Sequence, residues 1–168
     1  MIPTATRGEL MFEETGDRID VNTKATEFCE LPIVRCGMIR HDGPRLHVAL
    51  GSRTLAGQAF HVTVVFEGNA IRRVELTAII PGQPANWSEW TMESDMATKA
   101  LHESWAARAL GRELEVKPFF TPNRLLPFER KPETAMYAQM AWGQVVSWYD
   151  SKGNNPYMTF LYGEKDPV

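Results

Sequence analysis

Lys99, His102 and Glu103 lie three and four residues apart, a spacing that brings titratable side chains together along a helix. Acid–base chemistry from such a set requires burial or a charged neighbour to shift a pKa within a cleft. The helical wheel of the surrounding segment instead turns Lys99 and His102 toward water, so a solvated face is expected. Cys29, Cys36, His41 and His47 are the other group with metal-ligand chemistry. Structural zinc sites favour cysteine pairs two to four residues apart, because two ligands must converge on one ion from a tight turn. Here six, four and five residues intervene, and neither a metal nor any other cofactor is expected. Ser147, His102 and Asp150 offer the residue types of a hydrolase triad. No Gly-x-Ser-x-Gly elbow, phosphate loop or Gly-x-Gly-x-x-Gly turn accompanies them, so enzymatic activity is not the expected role.

Aromatic and basic residues supply the better lead. Trp142, Trp148, Tyr149, Tyr157, Phe160 and Tyr162 crowd one C-terminal hairpin. A sheet with aromatic residues on both faces cannot hide all of them beneath one helix, and those left over line a groove or contact face, with a core and cross-strand aromatic pairs as the competing reading. Residues 117–134 hold Pro118, Pro122, Pro127 and Pro132, which read as a long loop. Phe119, Phe120 and Phe128 offer apolar anchors there, and Arg124 and Arg130 offer charge. The candidate binding residues are therefore Phe119, Phe120, Arg124, Phe128, Arg130, Trp142, Trp148 and Tyr157. An inward turn of the phenylalanines, capping the core, is the alternative for the loop.

The elements that position these residues follow from periodicity. Phe60, Val62, Val64 and Phe66 alternate with His61, Thr63 and Val65, and Val74, Leu76, Ala78 and Ile80 alternate with polar residues. The turn Glu67-Gly68-Asn69-Ala70 joins them as a hairpin. Val145 to Asp150 and Tyr157 to Tyr162 form a second hairpin, and Leu46, Val48 and Leu50 mark another strand. One main helix is predicted from Asp95 to Leu110, with Ser94 at its N-cap and Gly111 beyond its end. Its core-facing side is read as Met96, Ala97, Ala100, Leu101, Ala107 and Leu110, with Trp105 at the margin. The fold class is α+β, an antiparallel sheet with this amphipathic helix across one face. Residues 1–26 are expected as a polar, partly ordered arm and residues 27–168 as a single domain.

The stretch Trp142-Gly143-Gln144-Val145-Val146-Ser147-Trp148-Tyr149-Asp150, with the turn and strand that follow it, resembles the C-terminal end of a group of small uncharacterised bacterial proteins. The Phe66-Glu67-Gly68-Asn69 turn and the Lys99-x-x-His102-x-x-Trp105 helix ending in Leu110-Gly111 are similar too. The likeness spans about half the chain. It implies a shared fold and brings no activity with it.

With 168 residues, 43% of them hydrophobic and 23% charged, the chain has the composition of a globular domain. A net charge of −3 argues against nucleic acid as a partner. No apolar run reaches the length of a membrane span and no leader pattern is visible, so a cytoplasmic home with reduced, buried thiols is expected. The expected function is a non-enzymatic protein-binding or accessory module of the immunity-protein kind, its partner another protein or a second copy. The alternative is a small-molecule or peptide binder, or a minor hydrolase, with a pocket under residues 117–134.

Overall fold

A computed structural model describes residues 4–83, 88–116, 135–150, 153 and 155–163. Its elements in chain order are β1 (Leu10–Met11), β2 (Arg18–Ile19), α1 (Ala25–Phe28), β3 (Met38–Asp42), β4 (Arg45–Leu55), β5 (Gln58–Glu67), β6 (Ala70–Ala78), α2 (Met92–Leu110), β7 (Glu115–Val116), β8 (Met136–Met140), β9 (Gly143–Asp150) and β10 (Asn155–Tyr162). Short 3-10 turns occupy Thr4–Arg7 and Pro32–Val34.

Eight strands form one antiparallel sheet in the order β3-β4-β5-β6-β10-β9-β8-β7. It consists of two meanders, β3 to β6 and β7 to β10, joined by the β6–β10 pairing with Val74 opposite Phe160. α2 connects the two meanders and packs on β6, β9 and β10. The architecture is α+β, an antiparallel sheet with one main helix.

Alternation along the strands separates two faces. On the inner face, Phe60, Val62, Val64 and Phe66 of β5 meet Val74, Leu76 and Ala78 of β6, Met158, Phe160 and Tyr162 of β10, and Val145 of β9, all buried. The two-residue turn Gly68-Asn69 closes the β5–β6 hairpin, and Gly68 takes the left-handed conformation that this turn requires (φ 59°).

The N-terminal segment is built into this core. Ala5, Leu10, Phe12, Ile19 and Ala25 are buried in the same cluster as the strand residues. Phe28 of α1 lies 5.4 Å from Phe66. Acidic residues hold the segment to the β4–β5 turn: Glu14 accepts from the Thr54 amide at 2.6 Å and Glu13 from the Gly57 amide at 2.7 Å. The segment expected as a polar arm thus contributes some of the largest buried side chains.

The start of α2 is one turn earlier than predicted. Thr91, not Ser94, is the N-cap, and its Oγ1 accepts from the Ser94 amide at 3.1 Å. Gly111 ends the helix in the left-handed region (φ 67°), as the sequence implied.

Candidate functional site

The helix is rotated from the side the wheel selects. Asp95, Thr98, Lys99, His102, Trp105, Ala106 and Ala109 are buried, whereas Ala97 and Ala100 are exposed; of the residues the wheel turns inward, Leu110 is buried and Leu101 packs against the core. The reason is size. Half of the wheel's apolar side is alanine, and turning its centre inward would leave the Trp105 indole partly in water. In the structure that indole packs 5.0 Å from the Phe60 ring and donates to the Leu55 carbonyl at 3.1 Å. The polar residues that share its side of the helix are carried inward with it.

A polar group taken out of water without a hydrogen-bond partner destabilises the fold, and each of these buried side chains meets a complementary group. Asp95 accepts from Trp90 Nε1 at 2.8 Å and from the Tyr149 hydroxyl at 3.1 Å. Thr98 donates to Gln83 Oε1 at 3.1 Å. Lys99 is paired with Glu103, and Ser147 of β9 donates to the same Glu103 oxygen at 3.3 Å. His102 is 0% exposed, which corrects the solvated reading. Its Nε2 accepts the Ala78 amide at 2.8 Å, so the proton of the neutral ring sits on Nδ1, which has no partner among the described residues. Burial, with Lys99 adding to it, pushes the His102 pKa down to about 3.

The geometry limits what this stripe can do. Glu103 and Ser147 stand as a base and a hydroxyl in hydrogen-bond contact, but Ser147 is 0% exposed and no substrate reaches its oxygen in this conformation. The stripe orients α2 on the sheet. Ser147, His102 and Asp150 do not assemble: Ser147 turns inward to Glu103 and His102 bonds a backbone amide.

The outer face of the sheet holds the second group of candidates. Trp148 of β9 lies opposite Tyr157 of β10, with ring centroids 5.3 Å apart, and its Nε1 donates to Thr159 Oγ1 at 3.3 Å. Arg73 and Glu75 of β6 pair at 2.7 Å on the same face, and Trp148, Tyr157, Arg73 and Glu75 are all half-buried. Thr159, Val146, Gln144 and Val65 of the same face are buried, while His61 is exposed. Burial raises the Tyr157 pKa, and the Asp150 and Glu75 carboxylates add to the shift. Aromatic rings, both signs of charge and hydroxyls are thus fixed on rigid strands.

Trp142, grouped with Trp148 and Tyr157 from the sequence, belongs to the core. It stacks on Phe160 at 5.7 Å with a 6° angle between rings, and its Nε1 donates to the Thr6 carbonyl. Gly8 is required beneath it, since a Cβ there would lie 2.6 Å from the indole. Phe119, Phe120, Arg124, Phe128 and Arg130 lie outside the described residues, as does the loop they belong to.

Among the described residues, no three His, Cys, Asp or Glu side chains gather as a metal site. Cys29 is half-buried, with its thiol pKa raised by burial, and Cys36 is exposed, contrary to the expectation of two buried thiols. No described helix is long and apolar enough to cross a membrane. The chain matches no protein-family model, no curated protein and no solved structure.

Proposed function

We propose that the chain is a non-enzymatic protein-binding module that receives its partner on the outer face of the sheet. The observation that carries this reading is the Trp148–Tyr157 pair beside Arg73 and Glu75 on that face. Tryptophan, tyrosine and arginine are the residue types on which protein interfaces concentrate their energy, and rigid strands lose little entropy in presenting them. The net charge of −3 favours a protein partner over nucleic acid. An accessory role of the immunity-protein kind, in the bacterial cytoplasm, is the setting this reading assigns.

The test is affinity capture from lysate of the source cell with three baits: wild type, Trp148→Ala/Arg73→Glu, and Ala100→Glu on the solvent side of α2. A protein held by the first and third baits and lost by the second supports the outer face. Equal retention by all three overturns it.

A second reading, a small-molecule or peptide binder or a hydrolase near residues 117–134, draws on Lys99 and Ser147 sharing the Glu103 carboxylate. It requires the enclosed Ser147 hydroxyl to become reachable. A fluorophosphonate probe that labels Ser147 would support it, and an unlabelled Ser147 would set it aside.

A further inference from the structure

The two ends of the eight-stranded sheet are finished differently. β7 at one end is two residues long, Glu115–Val116. β3 at the other runs five residues, Met38–Asp42, and every one of them is exposed. Met38 is 76% exposed and Ile39 50%, high values for large apolar side chains. A strand that ends a sheet presents unpaired N–H and C=O groups on its outer side and pairs readily with another strand. Arg40, His41 and Asp42 make no side-chain hydrogen bond or ion pair among the described residues, although Asp42 stands opposite Arg45 and Arg40 opposite His47 in the ladder with β4.

Charges on an edge strand usually keep other strands away. A row of like charges does so, because two copies repel. The β3 row does not have that property. Arg40 and Asp42 share one face, two positions apart, so the order Arg-x-Asp read antiparallel becomes Asp-x-Arg. We infer that the β3 edge pairs with the β3 edge of a second copy of this chain, antiparallel about a two-fold axis at His41, so that Arg40 of each chain faces Asp42 of the other. Directly opposite charges in an antiparallel pair stabilise it. Centring the axis on Arg40 instead would set two guanidinium groups against each other, so the charges also select the register. In the His41-centred register Met38 comes to lie beside Pro44 of the other chain and Ile39 beside its Gly43, which withdraws the two exposed apolar residues from water. A strand of this length gives a small interface, so the dimer belongs to the weak, transient class.

Sedimentation velocity under reducing conditions tests this, with reductant present because Cys36 is exposed. Wild type at concentrations up to about 200 µM should show concentration-dependent dimer, in keeping with a small interface. Arg40→Asp sets one carboxylate against Asp42 at each of the two symmetric pairs and should weaken dimerisation about tenfold or more, which corresponds to about 1.4 kcal/mol. The double variant Arg40→Asp/Asp42→Arg restores the pairing and should recover the wild-type behaviour. A mixture of Arg40→Asp with Asp42→Arg should form a heterodimer more readily than either chain dimerises alone. Trp148→Ala should leave self-association unchanged, which separates this result from the outer-face reading. A wild type that stays monomeric over the whole range, or a dimer indifferent to both single reversals, would overturn the inference; far-ultraviolet circular dichroism confirms that each variant is folded.

Discussion

Replacing His102 tests the rotation of α2 directly. In the structure the imidazole is 0% exposed, accepts the Ala78 amide at 2.8 Å and lies 6.4 Å from the Phe60 ring. His102→Ala strands a buried amide, which costs about 1–3 kcal/mol, and leaves a cavity beside Phe60 that raises the total to about 2–4 kcal/mol. The acid dependence follows from the pKa of about 3, against 6.5 for an ordinary histidine. The unfolded chain binds a proton at this residue between those values and the folded chain does not. Its contribution is therefore fully present above pH 6.5 and lost as pH falls, by up to about 1.4 kcal/mol per pH unit. From about pH 7 to about pH 5 the loss is roughly 2 kcal/mol. Urea unfolding of wild type and His102→Gln at both pH values isolates it, since the carboxylates titrate alike in the two proteins. The wild type should lose about 2 kcal/mol more than the variant on acidification. A His102→Ala cost below about 0.5 kcal/mol, the range of exposed substitutions, or equal acid sensitivity of the two proteins, would refute the reasoning.

Other consequences are open to the same unfolding assay. Trp105→Ala removes the anchor that sets the helix rotation and should cost about 3–5 kcal/mol, whereas Ala100→Ser on the exposed side should stay within about 0.5 kcal/mol. Glu103→Gln leaves the buried Lys99 ammonium without its counter-charge and should destabilise by about 1–3 kcal/mol. Lys99→Met, which removes the charge and keeps the volume, should be neutral or stabilising. Gly143→Ala should cost several kcal/mol, because φ is 152° and an added Cβ runs into the Leu161 carbonyl; a fully stable variant would contradict that close approach at the β8–β9 turn.

The strands are legible where side chains alternate without interruption. Phe60 to Phe66 and Val74 to Ala78 carry a large apolar residue at nearly every inner position, and the Gly68-Asn69 turn fixes their register. The C-terminal hairpin is legible for the same reason, although its place between β6 and β8 depends on pairing that no local pattern encodes. β8, Met136–Met140, has no β-branched residue to mark it. The helix wheel fails at the rotation: half of its apolar side is alanine, and one tryptophan outweighs several methyl groups when the helix chooses a face. Leu10, Phe12 and Ile19 give little signal because the apolar run Leu10-Met11-Phe12 is only three residues long, polar residues separate it from Ile19, and their burial comes from contact with the sheet. Trp148 and Tyr157 are neighbours because they stand opposite in a hairpin, while Trp142 only shares their segment. In the polar network of Asp95, Lys99, Glu103, Ser147 and Tyr149 the Lys99–Glu103 spacing is local, whereas Ser147 and Tyr149 join from a strand far along the chain.

Site-specific photocrosslinking tests the proposed docking of a protein partner on the outer face. A photoreactive benzoylphenylalanine at His61, exposed on that face, is compared with the same residue at Ala100, exposed on the far side of α2. A partner on the outer face gives a discrete protein adduct from position 61 in cells and none from position 100. An adduct from position 100 alone, or no adduct at position 61, would contradict it.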